Sequence, residues 1–186
     1  MRKLLALIAL SALQPSCEPF PNENEGKYED AREAFEHWKE AMIAGRLAEC
    51  VHLTTQSLRS QWVFDRLDEG DRAALGWKAK LKEGARTDLD LWFSEAVKST
   101  TSGRVPTLPP TVLADASLTP LLVGYLKDAQ PDVARDFRNQ KIIQVSSDAV
   151  GVSVVARNAR NEPEIYVLAF EEGFWKVDGH RKKGVR

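Results

Sequence analysis

The sequence predicts an α+β domain in which N-terminal helices pack on one face of a C-terminal four-stranded antiparallel sheet. Three observations lead there. Between Tyr28 and Phe137 apolar residues recur at three- and four-residue intervals. From Lys141 onward the period changes to two. Short polar connections then cut the alternating stretch into four runs.

The first helix is expected over Tyr28–Ala44, where Tyr28, Ala31, Phe35, Trp38 and Met42 form one apolar stripe and Gly45 supplies the stop. A second helix is expected from Leu47 to about Thr54. A third opens at Ser57 and carries Leu58, Trp62 and Leu67, with a turn around Gly70. Asp71–Leu81 reads as helical through Ala74, Leu75, Lys78 and Leu81. Gly84 is expected to interrupt, and Thr87 to cap the next helix, whose stripe is Leu89, Trp92, Phe93 and Ala96. Residues 99–111 read as a loop, Ser117–Lys127 as a shorter helix with Pro120 in its first turn, and Val133–Phe137 as one further turn.

The strands are divided at Ser147-Asp148, at Arg160–Glu162 and at Glu172-Gly173. Counting outward from each turn gives a register. Ala156 opposes Tyr166, Val154 opposes Leu168, and Val152 opposes Phe170. Phe170 in turn opposes Trp175, and Leu168 opposes Val177. Val145 opposes Val150, and Ile143 opposes Val152. All of these residues fall on one face, which is expected to meet the helices, because a one-residue slip would scatter them. The other face holds Ser153, Val155, Arg157, Ile165, Val167, Ala169, Lys176 and Asp178. It is apolar along the third strand and polar beside it, a pattern that fits water at the margins or a second subunit at the centre.

Ahead of the domain the chain reads as an export signal. Arg2 and Lys3 precede Leu4–Leu13, apolar except for Ser11. Ten residues of helix span roughly 15 Å, half of a bilayer core of about 30 Å. Ser16 and Cys17 follow directly, and this segment is similar to a bacterial lipoprotein signal, cut before a cysteine that is then lipidated. Gln14 and Pro15 depart from that pattern. The resemblance implies residues 1–16 as signal peptide, Cys17 as lipid anchor with a Pro/Asn/Glu-rich tether to residue 27, and residues 28–186 as one domain. It also implies a location in the cell envelope, membrane-anchored and facing the periplasm or exterior. Several acyl chains fix a protein to a bilayer where one holds it only marginally.

Composition narrows the partners. Without Arg2 and Lys3, 24 Lys+Arg face 27 Asp+Glu, a net charge of −3. Such a chain is not expected to bind nucleic acid. The basic tail, Arg181, Lys182, Lys183 and Arg186, reads as locally solvated. About 160 residues bury roughly 70% of their unfolded surface, enough for one core without a staple. Of the two cysteines, Cys50 follows Leu47 by three positions and reads as a buried small hydrophobe.

Two segments carry a family resemblance. The phrase Ala34-Phe35-Glu36-His37-Trp38-Lys39-Glu40-Ala41 with Gly45-Arg46-Leu47, and the closing Glu171–Asp178 strand pair, resemble the NTF2-like superfamily over about residues 28–66 and 141–179. The resemblance implies helices packed into a curved sheet to form a cone with a pocket at its open end. Residues 68–137 look mainly helical where that family places an early strand, so a helical middle insertion is expected.

No motif carries identifiable chemistry. A phosphate-cradling glycine loop, a Gly-x-Ser-x-Gly elbow, His-Glu-x-x-His and paired Cys-x-x-Cys do not occur in the sequence. No cofactor and no metal is therefore expected. His37 reads as a solvent-facing helix residue, and His52 is open to either reading. Asp88 and Asp90, two apart on a helix, point in different directions and favour the dipole at its start. Tyr166 is the one core-facing strand residue with a polar tip, at the same sheet end as His180. Tyr166 and His180, walled by Trp38 or Trp62, are the candidate ligand-binding residues. The expected function is a membrane-tethered, non-catalytic domain that binds a small apolar ligand or a protein. Two alternatives stand beside it. One is an isomerase- or dehydratase-type enzyme using Tyr166, His180 and a carboxylate such as Asp178. The other is a structural envelope protein that forms a homodimer through the second sheet face.

Overall fold

A computed structural model of the chain describes residues 25–99, 105–147, 151–158 and 160–182. Cys17, the leader, the first part of the tether, Asp148, Val150 and the last tail residues Lys183 and Arg186 lie outside the described residues. The structure is α+β, with seven helices followed by a four-stranded antiparallel sheet among the described residues. No helix among them is long and apolar enough to cross a membrane.

Helix α1 (Glu25–Ile43) forms where the apolar stripe predicts it. Ala31, Phe35, Trp38, Ala41 and Met42 are buried along one side. It ends on Gly45 at φ 71°, with Arg46 N donating to Ala41 O at 2.8 Å, a closure whose left-handed residue favours glycine. Helix α2 (Leu47–His52) is short and buries Leu47, Cys50 and Val51. Helix α3 (Gln56–Asp68) is capped by Thr55, whose hydroxyl accepts from Leu58 N. It closes on Gly70 at φ 69° in the same manner as α1, with Asp71 N reaching back to Arg66 O at 2.9 Å. Helix α4 (Arg72–Lys80) is capped by Asp71.

Two helical expectations are corrected. Helix α5 (Glu83–Ser99) begins four residues before Thr87, so Gly84 lies in its first turn. Thr87 caps nothing, and its hydroxyl bonds back to Glu83 O at 3.0 Å. Asp88 and Asp90 accordingly sit beyond the first turn, where Asp88 accepts from Thr111 and Asp90 pairs with Lys78. After the short α6 (Pro110–Leu113), helix α7 (Leu118–Arg138) runs unbroken through Pro131 and joins the two pieces read separately from the sequence. Its buried face, Leu118, Leu122, Leu126, Ala134 and Phe137, continues on both sides of the proline. Gln130 donates to Met42 O at 3.1 Å, tying the helix beside the proline to the end of α1. Packing against α1 and α2 holds a helix that local propensity would end.

Strands β1 (Lys141–Ser147), β2 (Val152–Arg157), β3 (Pro163–Glu171) and β4 (Phe174–Lys182) follow in spatial order. At the last hairpin, Glu172 and Gly173 have φ 55° and 85°, the two positive values of a two-residue turn matched to strand twist. The expected pairs Leu168–Val177 and Phe170–Trp175 form there. The other two hairpins are shifted. Val152, Val154 and Ala156 oppose Leu168, Tyr166 and Glu164, a slip of two residues from the expected register. The cause is a turn centred one residue earlier than expected: Asn158 N donates to Glu162 O, and Asn161 ends the turn at φ 63°. In the first hairpin Val145 opposes Val154, and a bulge between Ile142 and Gln144 puts Ile142 opposite Ala156. Ile143 is thereby 49% exposed and not part of the core face.

Apart from Ile143 at the bulge, the slips leave the faces intact because they are even. Val152, Val154, Ala156, Tyr166, Leu168 and Val177 are buried, in one cluster with Phe35, Trp38, Met42 and Phe137. Each such aliphatic side chain contributes about 1.5–3 kcal/mol by burial. The outer edge of β4 is partly covered. Val177 N donates to Leu53 O at 2.9 Å and Thr55 N to Val177 O at 3.0 Å, so the α2–α3 link forms a parallel bridge there.

Leu168→Ala on the core face is expected to cost about 2–5 kcal/mol in urea unfolding. Val167→Ala on the outer face should cost under about 1 kcal/mol. Equal losses would mean that the faces are assigned wrongly.

Candidate functional site

Alternation along β3 places Glu164 and Tyr166 on the core face, and the register puts His180 opposite Tyr166. Tyr166 is 4% exposed, and its ring lies 4.6 Å from Phe35, 6.0 Å from Phe137 and 6.4 Å from Trp38. The His180 ring stacks on it at 4.7 Å. Three of the four predicted ligand contacts, Tyr166, His180 and Trp38, therefore meet at one place. The fourth, Trp62, does not. It stacks on Tyr125 at 5.6 Å, and the Arg66 guanidinium lies 4.1 Å from the same tyrosine ring. Arg66 is held by Asp71 at 3.1 Å and approached by Asp128 at 3.8 Å. A slot of about 190 Å³ opens beside them.

The sequence reading missed the carboxylate of the Tyr166 cluster. Glu164 is buried and takes the Tyr166 hydroxyl at 2.9 Å, Gln140 Nε2 at 2.7 Å and Asn158 Nδ2 at 3.2 Å. Gln140 Nε2 also donates to the Tyr166 oxygen at 2.9 Å. His180 Nε2 stands 3.9 Å from Glu164. Lys39 reaches the backbone oxygen of Gln140 at 3.2 Å. The available signal was the alternation itself: Glu164 lies two residues before Tyr166 and shares its face. Asp178, the carboxylate named from the sequence, lies on the other face and accepts from Thr55 at 2.6 Å. Ala156, expected opposite Tyr166, opposes Glu164 instead, and Val154 takes its place.

This cluster is built as a support. The Tyr166 hydroxyl already donates and accepts, which is what a buried phenol requires. Burial pushes its ionisation well above the ordinary tyrosine range, away from proton transfer near neutral pH. Its contact with His180 is ring on ring. Among the described residues no group of three His, Cys, Asp or Glu side chains is placed to hold a metal ion.

A wide opening lies toward the other end of the sheet. One face of α1 (Asp30, Glu33, Ala34, His37), the end of α2 (His52) with Leu53 after it, and the β3–β4 hairpin line an open groove of about 700 Å³. The hairpin wall carries Phe170, Phe174 and Trp175. Phe170 is 64% and Phe174 69% exposed, although the sequence pattern puts Phe170 in the core. The reason is length: β3 and β4 run past the end of the packed core, so the alternation continues where no helix covers it. The groove is fixed from beneath. Buried Lys176 pairs with Glu171 and Glu172, and the Glu171 carboxylate accepts from Gln56 N at 3.1 and 3.2 Å. His37 is the solvent-facing helix residue expected, exposed at the groove's margin and paired with Glu49 at 2.6 Å.

Cys50 is fully buried, and burial, reinforced by the Glu49 carboxylate, pushes its thiol up to about 11. In the Cys17→Ala chain, Cys50 is expected to resist alkylation by iodoacetamide at pH 8 and to react on unfolding. Its folded value exceeds the unfolded one of about 8.5, so the stability it contributes is present below that pH and declines as pH rises toward 11. Rapid native alkylation would contradict the burial. Tyr166→Phe removes one donor to Glu164 and one acceptor for Gln140, which stay bonded to each other, and should lower stability by about 0.5–1.5 kcal/mol in urea unfolding.

Comparison of the chain with family models, with curated proteins and with solved structures finds no match.

Proposed function

We propose that this chain is an exported, membrane-tethered domain of NTF2-like form that binds an apolar ligand in the groove between α1 and the β3–β4 hairpin, without acting on it chemically. The observation that carries the reading is the pair of exposed phenylalanines. Soluble monomers seldom present contiguous apolar surface unless something uses it. Here Phe170 and Phe174 sit beside Trp175 in a groove of about 700 Å³, within the range of pockets that take small molecules. The NTF2-like form is supported by a long N-terminal helix lying against a four-stranded antiparallel meander. The tether is supported by the apolar leader that ends at Cys17. In this reading Trp38, Tyr166 and His180 stiffen the sheet behind the groove.

A homodimer through the second sheet face is the runner-up. Val155 opposes Ile165, and Val167 and Ala169 continue the row on that face. Sedimentation of the Cys17→Ala chain that stays monomeric at high concentration would remove it.

Two measurements test the main reading. Cys17→Ala should move the protein from the membrane to the soluble fraction; retention on the membrane would sink the anchor. A neutral fluorescent probe, N-phenyl-1-naphthylamine, should bind the Cys17→Ala chain, and Phe170→Ser with Phe174→Ser should weaken binding about 10-fold or more. Equal binding by both chains would remove the groove as the ligand site.

A further inference from the structure

We propose that the ligand of this groove is an organic cation, an apolar body carrying an amine or quaternary ammonium group. The inference rests on the proposed groove reading and adds the charge of the occupant.

The walls differ in kind. On the hairpin side are three aromatic rings, Phe170, Phe174 and Trp175. On the α1 side Asp30 and Glu33 face the same space, one helical turn apart. Of the three basic residues lining the groove, Lys176 is answered by Glu171 and Glu172 and His37 by Glu49, while His52 takes part in no ion pair among the described residues. Neither acidic residue is answered. Asp30 and Glu33 take part in no ion pair among the described residues, whereas Glu36 and Glu49, further along the chain, are both paired. The groove therefore presents π faces opposite two uncompensated carboxylates. A cation is attracted by both, through the quadrupole of the rings and through the charge of the acids. A neutral apolar ligand uses only the first wall, and an anion is repelled by the second.

The test uses three amphiphiles with the same decyl chain and different heads, each below its micelle concentration: decyltrimethylammonium, decyl maltoside and decyl sulfate. They displace the neutral probe from the purified Cys17→Ala chain. The cationic head should bind about 10-fold more tightly than the neutral one, and the sulfate more weakly than either. In Asp30→Asn with Glu33→Gln, both exposed and away from the core, the preference should shrink to within about 2-fold while probe binding persists. Equal affinity for the three heads overturns the proposal and leaves the groove reading standing; an undiminished cation preference in the double variant overturns Asp30 and Glu33 as its source. Loss of probe binding by the Cys17→Ala chain itself would instead count against the groove. A dimer that Phe174→Ser dissolves would place a second copy of the chain over the rings and overturn the cationic ligand.

Discussion

Phe35 is completely buried, with its ring 4.6 Å from Tyr166, 6.3 Å from Trp38 and 6.4 Å from Phe137. It is where α1, α7 and the sheet meet. Tyr166 is held there by two constraints of different kinds. Its ring is packed on one side by Phe35 and on the other by His180, and its hydroxyl is locked by Glu164 and Gln140. Gln140 lies between the end of α7 and the start of β1, and Lys39 of α1 binds its backbone oxygen. One aromatic contact therefore brings three segments far apart in sequence to a common point. The polar cluster around it limits rotation of the tyrosine, since buried donors and acceptors must be answered within the protein.

At the other end of the sheet the same geometry has the opposite effect. β3 and β4 extend beyond the packed core, and their hairpin is tied down from the side instead of from above. The link between α2 and α3 bridges β4 through Val177, Thr55 caps α3 while donating to Asp178, and Glu171 receives the first amide of α3. These bonds position the hairpin without covering its apolar side chains. A rigid frame with exposed aromatics loses little conformational freedom on binding, which is the condition for affinity from modest contact area.

The sequence was most readable where local chemistry decides. Gly45 closes α1, and the positive-φ turn at Glu172-Gly173 sets the register of β3 with β4. It was least readable where a loop or a distant contact decides. The turn ending at Asn161 is centred one residue earlier than its polar residues suggest, which shifts the register of the second hairpin by two and moves Glu164 from opposite Asn158 to opposite Ala156. Because the slip is even, the core face survived the error while the key carboxylate did not. Pro131 signals a helix end, yet tertiary packing carries α7 past it. Thr87 has the chemistry of a cap, yet Glu83 starts the helix earlier. Of the site, the meeting of Tyr166, His180 and Trp38 was legible from alternation and the helical stripe. The exposure of Phe170 was not, because a residue pattern shows which face a side chain takes and not how far the opposing helix reaches.

That last distinction explains why the groove and the polar cluster differ in character despite lying on one sheet face. Near Tyr166 the face is roofed, and Glu164 there has three donors around it, while Gln140 Oε1 and Trp38 Nε1 are buried without a hydrogen-bond partner. Near Phe170 the roof ends. The side chains there keep their rings in water at a hydrophobic cost of order 1.5–3 kcal/mol apiece. A fold with this helix and this hairpin recovers that cost only when something apolar fills the space between them. On the proposed reading the carboxylates of Asp30 and Glu33 favour a positive occupant, because they take part in no ion pair among the described residues while Glu36 and Glu49 do.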